Sequence, residues 1–146
     1  GTRMFLGNMT LNVAVRGQGF PVLLLHGFPD SMDLWRHQAP VLERADFQVI
    51  IPDQRGFGES DAPPEKSAYH LDHLVDDALR VVTHVTGSPK SRFSVVGHDW
   101  GAVVGWLLAI RHPERVQHLV TVSVGHPNAF ARAGLHQKLK SWYILA

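Results

Sequence analysis

The stretch Phe93-Ser94-Val95-Val96-Gly97-His98-Asp99-Trp100-Gly101-Ala102 decides how the rest of the chain is read. Its first residues form a short apolar run, which at that length is a buried strand. Residues Ala102 to Ile110 are apolar all round, which makes a buried helix rather than an amphipathic one. Between them is a turn with an acid at its tip. A strand that becomes a helix within so few residues strains the backbone at the tip, and the positions two before and two after have little room for side chains. Both are glycine, Gly97 and Gly101. The turn raises the Asp99 carboxylate above the strand ends. It also aims the Trp100 N–H and the positive end of the helix at the same place. Taken alone, Asp before Trp-Gly favours a helix N-cap. The preceding strand, the paired glycines and a second motif favour Asp99 as a nucleophile.

A carboxylate attacks ester or amide carbonyls poorly but can displace at a saturated carbon, such as that of an epoxide or a carbon–halogen bond. The product is an ester on Asp99 itself, which water must then hydrolyse at the Asp99 carbonyl. That second step is acyl chemistry, and it requires an oxyanion hole and a general base.

Further strands lie upstream. Met4 to Leu6 and Leu11 to Val15 read as a hairpin around Asn8-Met9. Pro21 to Leu25 is a continuous apolar run and so a buried parallel strand. His26-Gly27-Phe28-Pro29 follows it. In that loop Gly27 permits a backbone conformation other residues resist, Pro29 stiffens the exit, and the Phe28 N–H can point above the strand ends as a second oxyanion donor. On its own the loop is also an ordinary strand-to-helix turn. His26 and His98 read as loop-supporting histidines rather than bases. Ser31 to Arg44 reads as a helix interrupted by Pro40, and Phe47 to Ile51 as the next strand.

In the glycine-punctuated loop Pro52 to Ser60, no Gly-Lys-Ser/Thr follows, so a phosphate loop is excluded. Asp53 and Arg55 read as a charge network that braces this loop. Tyr69 to Thr86 has apolar residues at helical spacing, with Asp72, Asp76, Asp77 and Arg80 on the solvated face and Gly87 closing the helix. Val116 to Val124 is a last strand. The strand–helix alternation implies an α/β fold, a mostly parallel sheet with helices on both faces and its site at the C-terminal strand edge.

Composition narrows the function classes. The net charge is +1 with no basic run, so nucleic acid has no electrostatic claim on the surface. There is no cysteine, which removes disulfides and thiolate metal sites. His70 and His73 have metal-pair spacing without a third ligand, and no apolar run is long enough to span a bilayer. The start, Gly1-Thr2-Arg3-Met4, has no signal-peptide layout, so the expected location is cytoplasmic.

At this point the chain resembles the α/β-hydrolase superfamily, and within it the epoxide hydrolases. The resemblance rests on the His26-Gly27-Phe28-Pro29 loop, the loop from Asp53 through Arg55, Gly56 and Gly58 to Ser60, the Gly97-to-Gly101 turn, and the Gly125-His126-Pro127 exit. It implies Asp99 as the alkylated nucleophile and the N–H groups of Phe28 and Trp100 as the oxyanion hole. Residues 1–124 would be the N-terminal part of the hydrolase core, and residues 125–146 the start of the lid. Ser141-Trp142-Tyr143-Ile144-Leu145 is similar to the lid stretch that carries a tyrosine donor to the epoxide oxygen, which implies Tyr143 as general acid. The expected substrate is a small hydrophobic epoxide, with no cofactor and no metal.

The haloalkane dehalogenases are the alternative. They share Asp-Trp-Gly but usually carry Asn where Phe28 stands, and a phenylalanine side chain cannot hydrogen-bond a halide. The resemblance also implies that the catalytic histidine, its acid partner and a second lid tyrosine follow the lid, and none has a position in these 146 residues. A second chain would then carry the rest of the fold. Otherwise the chain would be a catalytically incomplete fragment acting only as a binding or assembly unit.

Overall fold

The computed structural model describes residues 1–122. Six strands make one sheet: β1 Thr2–Phe5, β2 Thr10–Arg16, β3 Phe20–Leu25, β4 Phe47–Pro52, β5 Phe93–Gly97 and β6 Val116–Thr121, in the order β1-β2-β4-β3-β5-β6. The first two strands form the expected antiparallel hairpin, with Met4 opposite Leu11, and β2 pairs antiparallel with β4. From β4 across to β6 every pairing is parallel. The fold is therefore α/β with a mostly parallel sheet.

The unbroken apolar runs follow from this sheet being covered on both faces. Side chains alternate along a strand. Val22, Leu24, Val49, Ile51 and Val96 accordingly enter one core with Trp35 and Leu42, while Leu23, Leu25, Ile50 and Val95 enter the other with Leu74, Val81, Val104 and Leu108. The first core lies under α1 (Gln38–Arg44), the second under α2 (Leu71–Thr86) and α3 (Trp100–Arg111).

Three sequence expectations change in detail. The single helix over Ser31 to Arg44 is a 3-10 turn, Met32–Trp35, followed by α1. Ser31 caps the turn, and Pro40 falls in the first turn of α1, where its missing N–H has no helical partner to lose. The helix over Tyr69 to Thr86 starts at Leu71, because Lys66–Tyr69 is a separate 3-10 turn. It ends as expected on Gly87, whose φ of 78° suits glycine. Finally, α3 is not buried all round. Gly101, Val104, Gly105 and Leu108 face the sheet, whereas Val103, Trp106 and Ile110 are exposed among the described residues. Apolar composition cannot say which face of a helix finds a partner. Gly105 lets α3 lie close to the sheet, since a Cβ there would lie 2.7 Å from Leu119 Cδ1.

Candidate active site

The site follows from the sheet order. Neighbouring strands β3 and β5 end side by side, with Leu25 opposite Gly97. The chain leaves β3 toward α1 on one face and leaves β5 into α3 on the other. Adjacent strand ends that diverge to opposite faces leave a crevice at the C-terminal edge of the sheet, which is where open α/β sheets bind ligands.

Asp99 stands in this crevice. Its φ of 58° and ψ of −125° place a non-glycine residue in a strained conformation. It occupies the N-cap position of α3, yet its side chain makes no capping hydrogen bond. The carboxylate is turned out instead, and the residue is exposed. The Phe28 N–H donates to its Oδ2 at 3.4 Å. Hydrogen bonding from the Trp100 N–H, then from Phe28, holds the carboxyl below the usual carboxylate range; slight desolvation opposes this, and His98 adds a small favourable charge effect. Two backbone donors, one from the loop after β3 and one from the first residue of α3, thus serve one carboxylate.

The glycines around Asp99 are there for space. A Cβ on Gly27 would fall 2.6 Å from Asp99 Cβ and 2.7 Å from Oδ2. Gly27 does not adopt the positive φ that the sequence reading allowed it; the nearby carboxylate, not the backbone angle, is what requires glycine. Gly97 is held by Ala102, whose Cα would be 2.7 Å from an added Cβ, and Gly101 by the carbonyls of Leu25 and His26. We predict that Gly27→Ala displaces the Asp99 side chain and slows any reaction at its carboxylate by about 100-fold, since small misplacements of reacting groups cost on that scale. Single-turnover rates for the two proteins check it, with matched thermal melts to separate misplacement from unfolding.

An aromatic wall stands beside the carboxylate. Phe28 stacks on Phe57 at 4.7 Å between centroids and 10° between planes, and on Trp100 at 6.2 Å and 19°. Phe28 and Trp100 also line an open cleft of about 650 Å³ that continues past Tyr69, Leu71, Leu107 and Arg111. Sequence reasoning did not single out Phe57. Its only signal was an aromatic residue between Gly56 and Gly58.

Comparison with known proteins agrees with this architecture. Residues 21–143 match the family model described as alpha/beta hydrolase fold. The chain belongs to that family. It is 39% identical over 123 residues to Epoxide hydrolase 2 of Siraitia grosvenorii, an alignment covering 84% of this chain and 38% of that protein. With Epoxide hydrolase B of Mycobacterium tuberculosis it shares 45% identity over 107 residues, covering 73% of this chain and 29% of that one. Among solved structures, an epoxide hydrolase from Vigna radiata superposes with a TM-score of 0.76 at 35% identity, over 86% of this chain and 40% of that one. The Bacillus megaterium epoxide hydrolase bound to an inhibitor gives a TM-score of 0.74 at 38% identity, over 82% and 41%. The chain thus spans at most about two fifths of the length of these relatives.

Within the alpha/beta hydrolase frame, the remaining candidate residues are supports. His26 is fully buried: its Nδ1 pairs with the Gly27 carbonyl at 2.6 Å and its Nε2 accepts from the Gln54 N–H at 2.9 Å. Burial, the largest influence, pushes the imidazole below its ordinary value against smaller opposing effects from Gly27, Asp53 and Asp30. With both nitrogens committed and the ring neutral, His26 ties the first loop to the Asp53 loop. Gln54, which sequence reasoning missed, adds a bond from its side chain to the His26 carbonyl at 2.7 Å. The Pro29 peptide is cis, at the exit of the same loop. The main chain of His98 donates to the Leu25 carbonyl at 3.1 Å, and its Nδ1 is buried with no partner among the described residues.

The charge network around the glycine loop is wired differently from the expectation. Asp53 is buried and accepts from the N–H groups of Met32 and Glu59 and from Asn12 Nδ2, at 2.7, 3.0 and 3.0 Å. Arg55 does not pair with it. Its partner is Asp77, in a buried two-bond fork at 2.7 and 2.8 Å. Asp77 is therefore not on the solvated face of α2, because helical spacing alone does not reveal an arginine arriving from another loop. No group of three metal-binding side chains occurs among the described residues, and none of their helices is long and apolar enough to cross a membrane. Tyr143, like the Gly125-His126-Pro127 exit, lies outside the described residues.

Proposed function

We propose that this chain carries the nucleophile half of an epoxide hydrolase. In the first step a carboxylate oxygen of Asp99 forms a bond to an oxirane carbon as the ring C–O bond breaks. The departing oxygen takes a proton from the phenol of Tyr143, so it never leaves as a bare alkoxide. In the second step water attacks the Asp99 carbonyl carbon as a base takes one of its protons, and a tetrahedral oxyanion forms. Collapse breaks the ester C–O bond, the leaving alkoxide takes that proton to give the vicinal diol, and the second water proton restores the Tyr143 phenol as the carboxylate is freed. The N–H groups of Phe28 and Trp100 stabilise that oxyanion, and losing one such donor costs about 10² to 10³ in rate. Residues 1–124 supply the core part of the fold and residues 125–146 the start of the lid. The second step needs a base, and we assign no described residue to it: both nitrogens of His26 are engaged.

The observation that carries this reading is the convergence of the Phe28 and Trp100 N–H groups on an exposed, uncapped Asp99 carboxylate. The similarity to epoxide hydrolases of plants and bacteria supports the choice of electrophile. So does the aromatic wall, which suits a small apolar oxirane and offers no side-chain donor at Phe28 for a halide. The test is a single turnover of an aryl epoxide in heavy-oxygen water, with enzyme in excess. Because water attacks the ester carbonyl, the label is expected in the Asp99 carboxylate and not in the first-formed diol. Label appearing in that diol would mean direct attack of water on the epoxide and would overturn the mechanism. An ester that persists on Asp99 would show that the base lies outside these residues.

A further inference from the structure

The opposite end of the sheet holds a second cavity. Arg115 immediately precedes β6 and Ser91 lies just before β5, so both sit at the N-terminal strand ends, away from Asp99. Here a groove of about 430 Å³ runs between the β1 end of the hairpin and the second half of α2. Phe5, Leu6 and Leu79 give it an apolar lining, and Arg80, Thr83 and Arg115 contribute polar groups. Its volume falls in the range of small-molecule sites, about 300–1,000 Å³.

Arg115 is the unusual member. It is only 7% exposed, and a buried guanidinium ordinarily has a carboxylate partner. Its Nε donates to the Ser91 carbonyl at 2.6 Å, and its carbon lies 5.5 Å from the centre of the Phe93 ring. Its Nη2 is buried with no partner among the described residues. The neighbouring acids are occupied elsewhere: Glu114 faces His112 at 3.4 Å, and Asp76 holds Arg80 at 2.8 Å. Burial accordingly pushes the Arg115 guanidinium below its ordinary value, with Glu114 opposing only in part. A buried cation whose Nη2 has no partner among the described residues, on a side chain that lines an apolar groove, matches a ligand with one anionic end and one greasy end.

We infer that this groove binds an amphipathic carboxylate of the medium-chain fatty-acid type, its headgroup on Arg115 and its chain against Phe5, Leu6 and Leu79. Phe5 is 65% exposed, so its ring is free to cover such a chain. The site is separate from Asp99 and does not depend on the reaction proposed there.

The experiment is a titration of the full chain with decanoate, followed by backbone amide NMR. Saturable shifts are expected at Phe5, Leu79, Thr83 and around Arg115. Decanol, with the same tail and no charge, should bind at least about 10-fold more weakly, as should decanoate to Arg115→Gln, which follows from losing a charge-assisted hydrogen bond. If that variant does not fold, Leu79→Glu places a like charge on the groove wall and should weaken decanoate by a similar factor. Shifts confined to Phe28 and Trp100, equal binding of decanol and decanoate, or no saturable binding would each overturn the inference.

Discussion

Asp99→Ala is expected to abolish covalent labelling of the chain by an aryl epoxide. Intact-mass spectra of the wild-type protein, quenched in acid during the first turnover, should gain the mass of one epoxide, and peptide mapping should place it on Asp99. The variant should label more than about 10⁴-fold more slowly, the scale on which removing a catalytic nucleophile acts. Substituting Asp99 should not unfold the protein, because the residue is exposed and its side chain caps nothing. Alanine carries a Cβ as aspartate does, so the backbone at φ 58° stays strained and the melting temperature should hold or fall slightly. The pH dependence adds a second check. In the proposed reaction the attacking form is the carboxylate, and the N–H groups of Trp100 and Phe28 lower its pKa. Asp99 therefore stays ionised to a lower pH than a free aspartate. The labelling rate should be flat as pH falls toward the ordinary value of about 3.9 and decline only below it. A decline centred above that value, or equal labelling of Asp99→Ala, would remove Asp99 from the reaction.

The second large effect concerns stability. Asp77→Ala should destabilise the fold by about 3–5 kcal/mol, the usual cost of leaving one member of a buried ion pair alone. The two side chains are only 4% and 6% exposed, so solvent does little to screen them. The hydrogen bond to Asp77 is the main influence raising the Arg55 guanidinium above its ordinary value, so removing the carboxylate strands a charge that cannot readily neutralise. Replacing both partners with apolar residues of similar size should cost much less, because no charge is then left buried. Chemical denaturation of the single and double variants measures the difference. A single variant within 1 kcal/mol of wild type, on the scale of about 0–1 kcal/mol seen for surface pairs, would show that water reaches the pair.

These two residues mark the boundary of what could be read from the chain. Asp99 was legible because its constraints are local. A strand, a turn and a helix within ten residues leave few positions for an acid flanked by glycines, and the apolar runs from Pro21 to Leu25 and Phe93 to Val96 announce strands covered on both faces. The Phe28 loop was legible by its position after an early strand. Asp77 was misplaced because its partner comes from 22 residues away in sequence, through a loop whose path periodicity cannot trace. Phe57 and Gln54 were overlooked for the same reason: their role comes from touching Phe28 and His26, not from any local pattern.

By itself, then, the amino-acid sequence determined the α/β alternation, the turn that presents Asp99 and the need for small residues about it. These depend on interactions between near neighbours in the chain. Only the tertiary structure decided that Gly27 makes room for the Asp99 carboxylate, that Arg55 reaches Asp77 rather than Asp53, and that one face of α3 is exposed among the described residues. Each depends on which segments the order β4-β3-β5 brings side by side, and that order is set by packing both faces of the sheet at once.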